Sequence, residues 1–456
     1  MGSFKNRPCL QGVVVRSDRL DLRTEGGDVA VEVLRTSFKH PFVAHWLPSP
    51  ADVGEERIWA VATHLLVTFR DPVDEVGAWH ILNATLRAAL HADISYAVQR
   101  ISLPNTFLVF TPEGGPEITT DGPPDYILAA LAAVRHHPAV DDANPNYLYF
   151  SLPMSLSASG GCPGTGIADD LKRMQAPLAW RQTIGDGRVR VAVLDSGIQL
   201  DHPDLKPNLL RQNGTVVGYN AYTINRPPDD EFGHGTWCAG IIGAIAQVGV
   251  NPRVALIPVK FLGPSGCGTV AGAIDGIQFA MNQAAHVISA SWGGPCISPD
   301  LEKKIAQIAS DILFVAGAGN DHRNLDTLPG FYPAGFSLPN ILSVGGADDN
   351  DFAVATWGYG KKRVHLSAPG RSVCSTYLLG GYRTGDGTSA STAFVAGACA
   401  LVKAADFSRG VANIRQRILD SVVPLQGSPT GVSCTGGRLD LANAILGTNL
   451  MVRPCP

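Results

Sequence analysis

Beyond Ala176, short and mostly apolar runs alternate with stretches whose apolar residues recur at the helical period. The runs cover residues 189–194, 254–259, 286–290, 312–316 and 341–344. The stretches between them include residues 238–246, 270–284 and 301–310. Strands that are apolar on both faces and separated by helices are typical of a parallel sheet covered by helices on both sides. The pattern predicts an α/β domain, whose reactive groups gather at the carboxyl ends of the strands.

The composition excludes several classes of protein. The chain has 456 residues, 45% hydrophobic and 17% charged, so it is too apolar for a disordered protein. Its formal net charge is −4, and we find no long run of like charges, so nucleic acid is not an expected partner. No apolar stretch is long enough to predict a membrane span. The nine cysteines include no CxxC pair, which argues against a cysteine-rich zinc site.

Residues 58–150 predict a second, smaller domain. Strands are expected near 59–69, 94–102, 107–111 and 140–150, and helices near 74–91 and 125–136. The order βαββαβ is that of the split βαβ, ferredoxin-like α+β arrangement. Residues 1–57 are assigned no function, and the Ser-, Gly- and Pro-rich stretch 151–165 is predicted to be an exposed linker.

Two polar residues stand where catalysis could use them. Asp195 ends the first apolar run just before Gly197, and a carboxylate there can orient an imidazole, although a turn role is commoner and Asp201 and Asp204 compete. His234 lies between glycines at the start of an apolar helix, and histidine can take and return a proton near neutral pH. A single histidine is more often structural. Cys238 is four residues further on and could react with thiol reagents or heavy metals.

Two further residues could complete a hydrolytic site. Ser389 follows Gly387 at the start of a predicted helix, where backbone N–H groups can stabilise an oxyanion, and Ser391 is the alternative nucleophile. Either serine could also be an ordinary helix cap. Asn320, after a predicted strand and a glycine, could donate to the oxyanion, although a turn role is commoner. The order Asp, His, Ser differs from that of α/β-hydrolases, and GxSxG and GxGxxG are absent.

Four blocks, at 193–205, 234–240, 316–321 and 387–397, resemble the subtilisin-like serine proteases in order and separation. The resemblance covers residues 176–446 and implies a three-layer catalytic domain with a mainly parallel sheet. It implies that Asp195 orients the imidazole, His234 is the general base and then acid, Ser389 is the nucleophile and Asn320 holds the oxyanion. It also implies a substrate-binding set that pairs with an extended peptide: Ser291, Trp292, Gly293, Gly294, Ala318 and Gly319.

The small domain resembles the inhibitory propeptide of that family. The resemblance implies a self-processing zymogen in which residues 58–150 assist folding and inhibit the enzyme. It places a linker at 151–175, cut somewhere in about 151–172, a catalytic domain at 176–446 and a tail at 447–456. The expected function is a serine endopeptidase acting on polypeptides, and we expect a monomer. The alternatives are an inactive protease-like domain that only binds proteins, and an esterase using the same triad.

The sequence departs from the family pattern at several positions. Asp204 matches a calcium ligand of some relatives, but the loop at 245–249 that supplies their other ligands is shortened, which argues against calcium there. No cofactor is expected for catalysis. Cys267 and Cys296 fall in segments that flank the cleft in relatives, which implies a disulfide between them. Secretion or an endomembrane compartment is favoured by resemblance alone, because the first residues lack the apolar core of a secretory leader.

Overall fold

The structure is a computed structural model that describes residues 14–24, 27–36, 43–47, 58–90, 96–110, 126–157, 162, 166–246, 248–327, 330–427, 431–448 and 455. The chain divides into two compact units. The first comprises Met1–Leu148, Thr269–Asp275 and Ser298–Leu301. The second comprises Tyr149–Gly268, Gly276–Ile297 and Glu302–Pro456, and it contains all the predicted catalytic residues.

The first unit begins with an antiparallel sheet and two helices. Its elements are strands β1 (Val14–Thr24), β2 (Gly27–Thr36), β3 (Val43–Leu47), β4 (Ile58–Phe69), β5 (Ala97–Arg100), β6 (Thr106–Phe110) and β7 (Val140–Ser151), and helices α1 (Glu75–Leu90) and α2 (Tyr126–Arg135). The last residues of β7 belong to the second unit. From β4 to β7 the order of elements is βαββαβ, as predicted.

The strands from β4 to β7 pair as expected for the split βαβ arrangement. β4 is antiparallel to both β6 and β7, and β5 is antiparallel to β6, so the spatial order is β7-β4-β6-β5. Apolar side chains of the sheet, such as Leu65, Val67 and Phe107, are buried with Leu82 of α1 and Val134 of α2. The helices therefore cover one face of the sheet and enclose a small core.

After β7 the chain alternates short strands with helices. The strands are β8 (Ser155–Ser157), β9 (Arg190–Asp195), β10 (Arg211–Gln212), β11 (Thr215–Val216), β12 (Tyr219–Asn220), β13 (Ala255–Lys260), β14 (Cys267–Thr269), β15 (Val287–Ala290), β16 (Trp292–Gly293), β17 (Leu313–Gly317), β18 (Ile341–Ala347), β19 (Leu366–Pro369), β20 (Val373–Thr376), β21 (Tyr382–Asp386), β22 (Val423–Pro424) and β23 (Gly437–Arg438). The helices are α3 (Asp169–Arg173), α4 (Ala176–Ala179), α5 (His234–Gly243), α6 (Val270–Asn282), α7 (Pro299–Gln307), α8 (Thr388–Ala405), α9 (Val411–Asp420) and α10 (Leu441–Leu446).

The predicted parallel sheet is confirmed in the second unit. Its order is β12-β13-β9-β15-β17-β18-β19-β23-β22, and its neighbouring strands are parallel except for β22 and β23. On one face Val191 and Val193 pack into a core shared with α5 and α8. On the other face Leu194 and Val259 lie beside Gly276 of α6, where an added Cβ would be 2.6 Å and 2.9 Å from their side chains. The sheet therefore forms the middle of three layers.

The predicted disulfide between Cys267 and Cys296 is wrong, because both cysteines are buried thiols. The chain at residues 151–152 runs between the two segments that carry them. Its N–H groups donate to Gly266 O at 2.8 Å on one side and to Ser291 O at 3.1 Å on the other. A strand width therefore separates the two segments. The described disulfides join Cys162 to Cys374 and Cys434 to Cys455.

The stretch 151–165 differs from the exposed linker that its composition predicted. Leu152 is 2% exposed, and β8 pairs with β21 in a small antiparallel sheet. Polar, proline-containing sequence is typical of loops, but here its backbone groups find partners on neighbouring strands. Residues 158–161 and 163–165 lie outside the described residues.

One helix in the described part of the chain, α8, has the length and hydropathy of a membrane span. Of its residues, 83% are buried, and the helix packs between the parallel sheet and the neighbouring helices. A core helix accounts for its apolar composition, and a membrane span is not indicated.

Candidate active site

The parallel sheet brings Asp195 to the carboxyl end of β9, beside the first turn of α5. The side chain is 1% exposed, and its Oδ1 lies 2.7 Å from His234 Nδ1. The same oxygen accepts the N–H of Ser196 at 2.7 Å, which fixes the carboxylate in place. The two competing aspartates lie elsewhere: Asp201 accepts from Gln199 on the surface.

His234 is the first residue of α5, with its ring held between an acid and a hydroxyl. Its Nδ1 faces Asp195 Oδ1, and its Nε2 lies 2.9 Å from Ser389 Oγ. Gly233 precedes it with a φ of 98°, a conformation that favours glycine, and an added Cβ would lie 2.5 Å from the Tyr377 ring. Glycine at 233 therefore allows the close turn that delivers the imidazole.

Ser389 is the second residue of α8 and is fully buried. Its hydroxyl faces His234, whereas Ser391, two residues further on, bonds Ala368 O and Pro369 O at 3.0 Å each. The geometry thus separates the two candidate nucleophiles, which the sequence left open. Ser391 therefore links α8 to β19 by hydrogen bonds, and its hydroxyl does not face the imidazole.

An extended piece of the chain lies along the predicted substrate-binding strand. β16 pairs antiparallel with Phe150 and Ser151. Ser151 N–H donates to Gly266 O, and Leu152 N–H donates to Ser291 O. Three of the predicted substrate-binding residues, at 291–293, therefore form one side of a backbone groove, and Gly266 forms the other side, which the sequence analysis missed.

Asn320 lies where this extended piece passes the serine. Its Oδ1 accepts from the N–H and the hydroxyl of Thr388, each at 2.9 Å, so its NH₂ group points the other way. That group donates to the carbonyl oxygen of Pro153 at 2.7 Å. We call residues 149–154 the cleft segment, because they occupy the groove and present a carbonyl to the amide.

The remaining predicted substrate-binding residues are placed differently. Gly294 exchanges backbone hydrogen bonds with Tyr332 and not with the cleft segment. Ala318 is buried and donates to Val344 O, and Gly319 accepts from Gly358 N–H. The residue that meets the cleft segment is Gly317, where an added Cβ would be 2.5 Å from Leu152 Cδ1.

The electrostatics of the histidine follow from burial and two neighbouring side chains. Burial is the largest influence and opposes protonation of the ring, but the charge and hydrogen bond of Asp195, together with Cys238, outweigh it, and the pKa of His234 is raised well above its ordinary value. Cys238 Sγ lies 3.9 Å from His234 Nδ1, and burial raises the pKa of this thiol. Cys238 is therefore the neutral thiol. Reaction of this cysteine with thiol reagents or heavy metals stays a prediction.

Asp230 is a functional residue that the sequence analysis missed. Its Oδ1 accepts from Ser196 Oγ and from the N–H groups of Phe232 and Gly233, each at 2.9 Å. Its Oδ2 accepts from the N–H and hydroxyl of Thr236, at 2.9 Å and 2.6 Å. A buried carboxylate thus caps the first turn of α5, where the helix leaves N–H groups without intrahelical partners. An acidic residue four positions before the histidine was the available signal.

Asp230 links the loops that carry the acid and the base. Ser196, which it binds, follows Asp195 directly, and Ser196 Oγ accepts the N–H of Gly235, the residue after His234. We therefore assign Asp230 as a positioning residue that sets the distance between the carboxylate and the imidazole.

Asp230→Asn should lower kcat about 10- to 100-fold with KM nearly unchanged. An amide offers one acceptor oxygen in place of two, so the turn at 232–236 loses partners, and sub-ångström misplacement of catalytic groups is costly. The matched control is the exposed neighbour Asp229→Asn, which should keep kcat. Steady-state kinetics on one peptide substrate, with thermal unfolding measured in parallel, checks this. A loss of stability without a fall in kcat would contradict the positioning role.

Among the described residues, which do not include Gln247 of the neighbouring loop, no group of His, Cys and acidic side chains close enough to share an ion includes Asp204. Calcium takes six to eight oxygen ligands. Here Asp204 O accepts the N–H of Ile245 at 3.0 Å, and an N–H cannot bind a cation. In the described part of the chain, the group of His, Cys and acidic side chains close enough to share an ion is Asp195, His234 and Cys238. We derive no step through calcium.

Comparison with known proteins finds the same catalytic family. The family model described as the subtilase family, Peptidase_S8, matches residues 186–439. The chain is 36% identical to an intracellular serine protease of Paenibacillus polymyxa, over 58% of this chain and 82% of that protein. It is 33% identical to thermitase of Thermoactinomyces vulgaris, over 60% of this chain and 94% of that protein. It is 36% identical to subtilisin Savinase of Lederbergia lenta, over 56% of this chain and 91% of that protein.

Proposed function

The chain belongs to the subtilase family of serine endopeptidases, and we propose that it cleaves polypeptides through an acyl-enzyme formed on Ser389. The observation that carries the proposal is the position of His234. Its two ring nitrogens lie 2.7 Å from Asp195 Oδ1 and 2.9 Å from Ser389 Oγ. A general base in such a triad must lie within hydrogen-bond distance of both the orienting acid and the nucleophile, and His234 does.

In the first half of the reaction, Ser389 Oγ attacks the carbonyl carbon of the substrate and His234 Nε2 takes its proton. Asp195 accepts a hydrogen bond from Nδ1–H, so it holds the ring in the required tautomer and stabilises the imidazolium. The developing oxyanion is bound by the Asn320 NH₂ group and by the Ser389 N–H at the start of α8. The hydrogen bond from the Asn320 NH₂ group to Pro153 O supports this role, because it shows that the amide can donate to a peptide carbonyl in the groove.

In the second half, His234 Nε2 gives its proton to the leaving amine, which departs with the newly formed amino terminus. A water molecule then replaces it, loses a proton to His234 and attacks the acyl carbon. The ester to Ser389 Oγ breaks, the serine recovers its proton and the carboxylic acid leaves. The family catalyses this chemistry without a cofactor. Every proton is thus moved by His234.

We also propose that residues 58–150 are an inhibitory propeptide and that the enzyme processes itself. The support is the cleft segment, which begins in the last residues of β7 and lies in the groove with backbone hydrogen bonds on both sides. A segment that binds like a substrate blocks other polypeptides until it is cut or displaced. The cut is expected within about 151–172, and the carbonyl that Asn320 holds, that of Pro153, lies inside this range.

A fluorophosphonate probe tests the proposed function directly. Purified processed protein should be labelled at Ser389, as peptide mapping by mass spectrometry would reveal, because only an activated hydroxyl attacks the phosphorus. His234→Ala, cut in the linker by an added protease because it should not process itself, is the matched control and should lose nearly all labelling, since no base remains. An unlabelled protein that still binds polypeptides would instead support the inactive, protein-binding alternative. No observation in the described residues favours that alternative.

A further inference from the structure

Tyr149 begins the cleft segment and is completely buried. Its ring packs at a tilt against the Trp292 indole, with 5.6 Å between ring centroids. Its hydroxyl donates to the carbonyl oxygen of Cys296 at 2.7 Å. The groove therefore contacts both the aromatic ring and the hydroxyl of the tyrosine.

The pocket around Tyr149 is lined by buried aromatic rings. Trp292 is itself buried against Phe261 and Phe314, with ring centroids at 4.7 Å and 6.4 Å. The acceptor at the end of the pocket is a main-chain oxygen, which cannot turn away as a side chain could. An aromatic wall with a main-chain acceptor at its end is complementary to a phenol, whereas a phenyl ring matches only the apolar wall.

Leu152 occupies a second pocket three residues further on. It is 2% exposed, and its Cδ1 lies 2.5 Å from the position that a Cβ on residue 317 would take. Because residue 317 is glycine, the pocket has room for a branched aliphatic side chain. Any larger residue at 317 would fill that space with its own atoms.

We infer that the enzyme selects polypeptides that carry a tyrosine three residues before a leucine on the amino-terminal side of the cut. The inference rests on the proposed function and specifies its substrate class. The cleft segment reports the selectivity because it lies in the groove through the same backbone bonds that a substrate would use. The phenol hydroxyl distinguishes tyrosine from phenylalanine, because it donates a hydrogen bond to the carbonyl oxygen of Cys296.

Synthetic peptides on the processed enzyme test the inference. The parent peptide is Tyr-Phe-Ser-Leu-Ala-Met-Ser, the sequence of residues 149–155 with alanine in place of Pro153 so that the tertiary amide is removed. Replacing its tyrosine by phenylalanine should lower kcat/KM about tenfold, since it removes the donor of one buried hydrogen bond. Replacing leucine by alanine should also cost about tenfold or more. Replacing the first serine, which corresponds to Ser151, by alanine is the control and should lower kcat/KM less than about threefold.

A second measurement uses the full chain. Tyr149→Phe should weaken the hold of the cleft segment on the groove, so fluorophosphonate should label Ser389 of the intact chain several-fold faster. Ser151→Ala is the matched control, because it removes a hydroxyl from the same segment for which the structure shows no corresponding buried bond. Intact chains are separated from processed ones before labelling is quantified.

Equal kcat/KM for the tyrosine and phenylalanine peptides, with casein still hydrolysed and Ser389 still labelled, would overturn the inference alone. Absence of both hydrolysis and labelling would overturn the proposed function itself. A tenfold preference for tyrosine together with faster labelling of Tyr149→Phe supports the inference.

Discussion

Ser389→Ala should abolish proteolysis, with kcat lower by about 10⁶-fold, the loss measured when the nucleophile is removed from subtilisin, a member of the same family. The alanine leaves His234 and Asn320 in place but removes the atom that attacks the carbonyl. The residual rate would come from oxyanion stabilisation and binding alone. Hydrolysis of casein and of a fluorogenic peptide by the purified variant measures the effect.

Ser391→Ala is the matched control for this variant. Its hydroxyl bonds only the carbonyls of Ala368 and Pro369, so its loss should cost about 1 kcal/mol of stability and leave most activity. Amino-terminal sequencing adds a second readout. Wild-type protein should gain a new terminus within about 151–172, whereas Ser389→Ala should keep its original one. Undiminished proteolysis or unchanged processing in purified Ser389→Ala would refute the role of Ser389.

The sequence predicts the fold well where periodicity is strong. The five apolar runs correspond to β9, β13, β15, β17 and β18, because strands buried on both faces need apolar residues at nearly every position. Short strands such as β12 and β23, two residues each, carry no periodic signal. The apolar-periodic stretch 238–246 begins four residues after the start of α5 at His234, whose first turn is capped by the Asp230 carboxylate from outside the helix. Helix propensity does not record such a partner.

The proposed catalytic residues were predictable from the sequence, but their geometry and the neighbouring residues Asp230 and Gly266 were not. Asp195, His234, Ser389 and Asn320 carry recognisable local sequence. The distinction between Ser389 and Ser391 depends on which hydroxyl faces the imidazole, a fact of helix orientation. Spacing alone does not determine disulfide pairing. Cys162 and Cys374, for example, form a disulfide although they are 212 residues apart in sequence.

The cleft segment exposes a further limit of composition. Its serine and proline suggested an exposed linker, because isolated polar sequence is usually solvated. In the structure its N–H groups are satisfied by Gly266 and Ser291, which are far away in the chain. Burial of polar backbone costs little when partners are supplied, so a long-range pairing can overrule a local signal.

Asp195→Asn should lower kcat about 10⁴-fold and move the acid limb of kcat/KM to lower pH. In the wild type burial lowers the pKa of His234, but the charge and hydrogen bond of Asp195, together with Cys238, outweigh burial and raise that pKa, so the neutral base forms, and activity rises, only as pH passes the raised value. The uncharged amide removes the Asp195 contribution, and the pKa of His234 falls.

The rate falls despite the easier deprotonation, because an asparagine NH₂ group facing Nδ1 favours the tautomer whose Nε2 already carries a proton. The matched control is Asp201→Asn, an exposed change in the same stretch, which should alter neither the rate nor the acid limb. The pH dependence of kcat/KM on one peptide substrate, measured for all three proteins, checks both effects. An unshifted acid limb in Asp195→Asn would mean that the carboxylate does not set the charge state of the imidazole, and the 2.7 Å contact would then have a purely structural role.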